Sequence, residues 1–377
     1  MSAAGGRGAA GGRGAAGGRG AAGGDTGPQR RVGDPASALR RVAYLLEAER
    51  AETYKVRAFR RAAASVEHAG AGRVAQLDRA GRLTDLPGVG PATAAVVSEA
   101  LAGQTPTYAA DLEDRRPRPR DPTVAALAGT LRGDLHTHSD WSDGGSSIEE
   151  MAVAARDRGA EYLALTDHSP RLTVAHGLDA GRLEQQLDVV AALNEQLAPF
   201  RILTGIEVDI LDDGALDQDD ALLARLDVVV ASVHSKLRMA APEMTARMVA
   251  AVEQPWTDIL GHCTGRIIVG RDRPPSTFDA DVVFEACRRT GTAVEINSRP
   301  ERRDPPPELL QRAVAAGCLF SIDTDAHAPG QLEWQHYGCE QAVDAGVTGE
   351  RVVTAWTVER VLAWTATHRG GTPAGGS

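Results

Sequence analysis

Between residues 130 and 325 the chain carries seven short β-rich runs, nearly all ending in a histidine or a carboxylate. The runs are TLRGDLH, EYLALTD, FRILTGIE, DVVVASVH, TDILGH, TAVEIN and LFSIDTD, which end on His136, Asp167, Glu207, His234, His262, Asn297 and Asp325. Helical stretches around 146–159, 179–198, 217–225, 242–254, 278–290 and 306–316 separate them. Strands alternating with helices build a parallel sheet. Seven such units in this length predict an α/β fold in the form of a closed or distorted βα barrel. A barrel gathers the C-terminal ends of its strands around one mouth, where active sites form. His136, His138, His168, Glu207, His234, His262, Asp325 and His327 are therefore expected to converge.

The spacing sharpens this expectation. His136-x-His138 and Asp325-x-His327 each put two side chains on one face of an extended segment. Six of the ten histidines fall at or just past a predicted strand end, where random placement would scatter them over helices as well. Imidazoles mixed with carboxylates suit Zn²⁺, Mn²⁺ or Fe²⁺, so the pattern predicts a polynuclear metal site. His68, His336 and His368 lie in helical or tail contexts and are read as structural, and His176 as a loop residue near the mouth.

The rest of the chain is organised differently. Residues 1–33 contain a repeated Ala-Ala-Gly-Gly-Arg-Gly segment, expected to be a flexible tail. Arg7, Arg13 and Arg19 are its cations. Residues 34–113 read as helical, residues 114–130 as a Pro/Arg linker, residues 131–368 as the barrel, and residues 369–377 as a second tail. Of the net charge of -10, residues 1–133 carry +7 and the remainder -17, which suggests a polyanion partner at the front and cations at the back. Cys263, Cys287, Cys318 and Cys339 form no C-x-x-C pair, which argues against a disulfide scaffold or cysteine zinc site and fits a reducing cytoplasm. No apolar run approaches the length of a membrane span.

GDLHTHSDWSDG, LALTDHS, ILTGIEVDI, VVASVHS, DILGHCTGR, VEINSRPERRD and SIDTDAHAP occur in this order and resemble the successive motifs of the PHP (polymerase and histidinol phosphatase) domain. The likeness covers about residues 131–365 and is greatest to the C-terminal PHP domain of bacterial family X DNA polymerases. It implies a distorted seven-stranded βα barrel holding three divalent ions. His136, His138 and Asp325 would hold the first. Glu207 would bridge it to a second, held by His234 and His262. Asp143, His168 and His327 would hold the third. Such a cluster hydrolyses phosphate esters by activating water and neutralising phosphate oxygens. Glu207 and His327 are its catalytic candidates, and Lys236, Arg266 and Arg299, which follow strand ends, are candidates for gripping phosphate.

The front module is similar to the helical N-terminal region of family X polymerases, and LPGVGPATA resembles a helix-hairpin-helix motif. In such a motif Gly88 and Gly90 would let backbone N–H groups reach a DNA phosphate, with Lys55, Arg57, Arg60 and Arg61 adding charge. A family X polymerase has a palm between these modules, and residues 114–130 are too few for one. Polymerase activity is therefore not expected. The segment QHYGCEQAVDAGVT also lacks the Arg-Arg-Gly expected there. The leading expectation is a cytoplasmic phosphoesterase acting on DNA ends, as a 3′–5′ exonuclease or 3′ phosphatase in DNA repair. The alternatives are a small-molecule phosphatase of the histidinol-phosphate type and a non-catalytic DNA-binding scaffold.

Overall fold

The computed structural model describes residues 33–370 except residues 117 and 271. The Gly/Ala/Arg repeat, with Arg7, Arg13 and Arg19, lies outside the described residues. The front module consists of helices α1 (Pro35–Ala48), α2 (Thr53–Ala69), α3 (Ala71–Arg79), α4 (Pro91–Leu101) and α5 (Thr107–Arg115). The Asp34 carboxylate accepts the Ser37 N–H at the start of α1, and Pro35 fills a position that needs no donor. The apolar faces meet in one core that includes Leu39, Val42, Leu46, Phe59, Val66, Leu77, Val96 and Leu112. Between α3 and α4 the chain reverses through Leu86-Pro87-Gly88-Val89. The Val89 N–H donates to the Leu86 carbonyl at 3.1 Å, and Gly88 takes φ +77, as a type II turn requires after proline.

The stretch read as a linker is partly helical. The Asp121 carboxylate accepts the Thr123 N–H and Pro122 opens α6 (Pro122–Ala128), whose Val124 joins the barrel core. Seven residues with two large apolar side chains are too short for a visible helical period, and the neighbouring proline and arginine hid the element.

The barrel strands are β1 (Gly133–Thr137), β2 (Tyr162–Leu165), β3 (Arg201–Asp209), β4 (Val228–Ser232), β5 (Ile259–Leu260), β6 (Ala293–Asn297) and β7 (Phe320–Asp323). They pair in sequence order and all in parallel. Helices α7 (Ile148–Asp157), α8 (Ala180–Leu197), α9 (Asp220–Leu223), α10 (Ala241–Val252), α11 (Ala280–Thr290) and α12 (Pro307–Ala316) connect them, and α13 (Gln335–Ala345) and α14 (Val358–His368) follow. Several ends expected on strands, among them His234, His262 and Asp325, fall on the loops just beyond the ladders. The barrel is distorted at β3, whose first half pairs with β2 and second half with β4. Gly205 stands at that switch, where a Cβ would lie 2.9 Å from the carbonyls of Leu165 and Val228. Side chains help to close the seam between β1 and β7. The Leu135 N–H donates to Asp323 at 2.7 Å and the Thr324 hydroxyl to Asp134 at 2.5 Å. Burial raises both carboxyls, Asp134 to about 6, and the Asp134 charge pushes Asp323 up further.

Strand alternation explains where the site forms. Val229, Ala231, Val294 and Ile296 face the layer shared with the helices. Leu135, Tyr162, Leu203, Val228, Val230, Ile259 and Ala293 fill the interior instead, covered by Val353, Trp356, Val361 and Trp364. Following the interior parity toward the C-terminal strand ends, Leu203 leads to Glu207, Ala293 to Glu295, and Ser321 to Asp325. An apolar floor thus gives way to a polar mouth within a few residues.

The helical module docks on that mouth side. The 3-10 turn Pro329–Trp334 follows β7. There the Gly330 N–H donates to Glu47 and the Trp334 indole N–H to the Ala48 carbonyl, both at 3.0 Å. Arg60 reaches Glu150 in the first turn of α7, and Arg50 pairs at 2.9 Å with Glu301 in the loop after β6. Arg369, assigned by composition to the C-terminal tail, instead pairs with Asp258 at 2.9 Å, beside His368. Among the described residues no helix is long and apolar enough to cross a membrane.

Candidate metal centre

Glu207 stands at the centre of the mouth, buried at the end of β3. Its Oε2 lies 3.4 Å from His136 Nε2, 3.7 Å from His138 Nε2 and 2.8 Å from His168 Nδ1. Its Oε1 lies 3.2 Å from His234 Nε2 and 2.9 Å from His262 Nε2. Asp325 Oδ1 is 3.4 Å from His138 Nε2. To one side, Asp143 Oδ1 lies 3.5 Å from His168 Nε2 and 3.2 Å from His327 Nε2. All nine expected ligand residues therefore lie in one connected cluster. Three overlapping groups bring candidate ligand atoms within 4.8 Å of one another: His138, Asp143, His168 and His327; His136, His138 and Glu207; and His168, Glu207 and His234. Asp143 reaches the cluster because its loop folds back tightly. The Gly144 N–H donates to the Ser139 carbonyl at 2.9 Å, and a Cβ on Gly144 would lie 2.5 Å from that oxygen.

The donor set fits divalent cations. His136 Nε2, both ring nitrogens of His138 and of His234, His168 Nδ1, His262 Nδ1 and both oxygens of Glu207 are buried without a hydrogen-bond partner. Leaving so many polar atoms unsatisfied would cost on the order of 1–3 kcal/mol each. Cations coordinated by His136 Nε2, by one ring nitrogen each of His138 and His234 and by both Glu207 oxygens would remove much of that cost.

Buried neighbours aim the ligands. Glu295 accepts from the His136 ring at 2.6 Å and also from the His262 N–H. Asp209 accepts the His234 backbone N–H at 3.0 Å, and the Asn297 amide donates to Asp325 at 3.3 Å. Asp167 holds the loop after β1 through Ser139 and Ser142. Carboxylates behind ligating histidines fix ring orientation and raise basicity. Burial opposes ionisation of His136, but Glu295 and Glu207 hold it well above its ordinary value. Burial, reinforced by His327 and His168, pushes His138 well below. Burial likewise opposes the charge on Glu207, yet His136, His234 and His168 hold its carboxyl well below the usual range. Sequence reading missed Glu295 and Asp209, although each sits two residues from a predicted strand-end residue, on the same face.

The other expected residues divide. Arg299 lies at the mouth, 2.9 Å from the Asp325 carbonyl and 3.0 Å from His327 Nδ1. Arg302, not anticipated, lies 3.3 Å from Asp325 and lines the same cavity. Arg266 does not line it, because its guanidinium donates to the carbonyls of Arg302 and Arg303 and ties two loops together. Lys236 also points elsewhere and pairs with Asp212 on the surface. Position after a strand end is not enough, since side-chain direction depends on loop geometry. Arg299→Gln is expected to raise KM for a phosphate ester about tenfold, as loss of a charge-assisted hydrogen bond would, whereas Lys236→Gln should leave it unchanged. Steady-state kinetics on the two variants checks this.

On the helical module, Lys55, Arg57 and Arg61 are exposed along α2. The aliphatic stem of Arg61 lies against the hairpin, where a Cβ on Gly88 would lie 2.8 Å from it. Gly90 opens α4, its N–H donating to Thr93 Oγ1 at 2.9 Å. Arg60 differs from the others, because it pairs with Glu47 at 2.7 Å and Glu150 at 3.3 Å and is spent on domain docking. His176 is exposed and does not line the cavity.

Residues 134–298 match the PHP domain, and residues 33–106 match a helix-hairpin-helix domain. Over 236 residues, 63% of this chain, the sequence is 42% identical to the DNA polymerase/3′-5′ exonuclease PolX of Bacillus subtilis (strain 168), and the match covers 41% of that protein. The chain thus spans less than half the length of that relative. A probable phosphatase of Thermoanaerobacter sp. (strain X514) is 28% identical over 58% of this chain and 89% of its own length. The crystal structure of histidinol phosphate phosphatase from Lactococcus lactis subsp. lactis Il1403 with zinc, L-histidinol and phosphate aligns at 19% identity and a TM-score of 0.42, covering 58% of this chain and 95% of that one.

Proposed function

We propose that this chain, whose residues 33–106 match a helix-hairpin-helix domain and residues 134–298 the PHP domain, is a hydrolase of phosphate esters that acts at DNA ends, as a 3′–5′ exonuclease or 3′ phosphatase in DNA repair. The observation that carries this reading is the two-sided Glu207 carboxylate, one oxygen toward His136 and His138, the other toward His234 and His262. His136, His138, Asp325, Glu207, His234 and His262 would hold two divalent ions, and Asp143, His168 and His327 a third, of Zn, Mn or Fe type. Such ions supply an acidified water and neutralise charge at phosphate. Arg299 and Arg302 face the phosphate from the side of Asp325. Buried Glu295 keeps the His136 ring in one orientation, and Asp209 fixes the His234 backbone, its carboxylate 3.6 Å from His234 Nδ1. The helical module, fixed to the mouth rim through Glu47, Glu150 and Glu301, offers the DNA backbone a place to lie beside the site. A primer-extension assay should show no templated incorporation, since residues 114–130 leave no room for a palm.

The test is to incubate the Mn²⁺-loaded full chain with end-labelled DNA and, separately, with histidinol phosphate. Turnover of DNA ends supports the proposal, and turnover of histidinol phosphate alone overturns it. That second reading, a small-molecule phosphatase, is favoured by the mouth cavity, about 420 Å³ in volume, and by the relative named a probable phosphatase. The triple variant Lys55→Ala, Arg57→Ala, Arg61→Ala is expected to weaken DNA binding about uniformly across sequences. It should also flatten the salt dependence by roughly 0.7 for each single-strand phosphate that is no longer neutralised. Binding isotherms at several salt concentrations check this, with hydrolysis of a small phosphate ester unaffected.

A further inference from the structure

Two loops carry apolar side chains to the lip of the metal centre, half-burying Leu172 and Ile267 and leaving Val174 and Val269 in solvent. After β2, Leu172, Val174 and Ala175 line the cavity that His168, Glu207, His234 and His327 also line, and Val174 is 85% exposed. After β5, Ile267 and Val269 line the same cavity, with Val269 44% exposed. Strands β2 and β5 are three positions apart, as far as a seven-stranded ring allows, so the two loops stand across the mouth from each other.

The exposure is built in. The Arg182 guanidinium donates to the carbonyls of His176 at 2.5 Å, Gly177 at 3.2 Å and Trp141, strapping the first loop. Gly177 packs so closely that a Cβ would stand 1.8 Å from the Ser169 carbonyl. In the second loop Ile267 and Arg273 exchange N–H donation at 2.9 and 3.0 Å, and the Ile268 N–H donates to the Glu301 carbonyl at 2.7 Å. Apolar side chains held in water at the edge of a polar site mark a binding surface. Below them the cavity is lined by Arg299 and Arg302 beside the histidine and carboxylate cluster. A ligand matched to both levels carries an anionic phosphate at one end and a flat apolar face at the other.

We infer that Leu172, Val174, Ile267 and Val269 form a nucleobase subsite, which holds the base of the nucleotide whose phosphate lies at the metal centre. Extruded bases are held in this way between apolar side chains. The inference deepens the phosphoesterase reading and rests on it, since it assigns the substrate class of that same site. Among the described residues no amide or hydroxyl side chain lines the cavity, so the subsite accepts any base.

The test is calorimetric binding to the Mn²⁺-loaded full chain of thymidine 5′-monophosphate and of 2-deoxyribose 5-phosphate, which share sugar and phosphate and differ in the base. The nucleotide is expected to bind about tenfold more tightly, the gain from burying part of a base against aliphatic side chains. The double variant Val174→Ser, Val269→Ser, on exposed loop positions, should bring the ratio close to one. If both ligands bind wild type equally, or the variant keeps the ratio, the nucleobase subsite is overturned while the phosphoesterase reading stands. If neither ligand nor inorganic phosphate binds, that reading falls and the subsite with it.

Discussion

Glu207→Gln is expected to lower phosphate-ester hydrolysis by more than about a hundredfold and to reduce bound metal. Residues that merely orient metal ligands typically cost 10–100-fold when mutated, so loss of the central donor should exceed about a hundredfold. Glutamine keeps the shape of the side chain and should leave the barrel folded. It replaces one anionic oxygen by an N–H₂ group, which has no lone pair to offer. Five histidine rings now face this carboxylate within 4 Å. One edge of the amide would turn donors toward either the His136 and His138 side or the His234 and His262 side, so the two halves of the site could no longer share a ligand. Elemental analysis of the purified variant reads the metal loss, and circular dichroism confirms the fold. Full hydrolysis with full metal content would show that Glu207 is not the shared ligand.

The convergence of these residues was legible in the sequence because a parallel barrel converts order along the chain into position around a ring. Each expected ligand except Asp143 lies within a few residues of the end of a strand, and the barrel needs no further information to bring those together; Asp143 also needs the tight loop in which Gly144 donates to the Ser139 carbonyl. What the sequence hid depends on side-chain direction and on short elements. Lys236 and Arg266 follow strand ends as Arg299 does, but the loop after β4 takes Lys236 through φ +51 and out to Asp212, while Arg266 is consumed by the carbonyls of Arg302 and Arg303. Arg60, one turn along α2 from Arg57, looked like another DNA-facing cation until its partners Glu47 and Glu150 were in view. Those partners lie on α1 and α7, distant in sequence, and no local pattern announces such a pairing. The same is true of the packing of α1 on the turn after β7, which joins residues nearly the whole chain apart.

That joint makes the second large prediction. Gly330→Ala should release the helical module from the barrel, because the added Cβ would lie 2.0 Å from the Tyr44 carbonyl oxygen and 2.6 Å from Glu47 Cβ. Overpacking against backbone that cannot retreat costs on the order of 3 kcal/mol. Glu333→Gln should weaken the same joint by removing charge. Glu333 receives Tyr44, Arg116 and Arg158, the last at 2.5 Å. Burial pushes this carboxyl up, but Arg158 and Arg116 overcome it and bring it from 4.5 to about 2. At about 1.4 kcal/mol per pH unit, ionised Glu333 contributes on the order of 3 kcal/mol of net pH-linked stability, burial included. A depressed folded pKa gives stability that is complete above the ordinary value of 4.5 and lost as pH falls toward 2. Glu47 acts in the opposite sense and in another window. Burial raises its carboxyl despite Arg60 and the Gly330 N–H, so its contribution improves as pH falls toward 4.5 and is level below it. The stability difference between wild type and Glu333→Gln should therefore hold near its full value above pH 4.5 and shrink as pH falls below it. Urea unfolding across that range measures the difference, and taking it between two chains with the same metal centre cancels the titration of the histidine cluster. Cleavage by a protease within residues 114–121 reports undocking directly. Slow cleavage and a single unchanged unfolding transition in both variants would mean that the two domains are held by other interactions. Rapid cleavage together with retained hydrolysis of small phosphate esters, but no action on DNA ends, would make the fixed docking of the helical module part of how the protein reaches DNA.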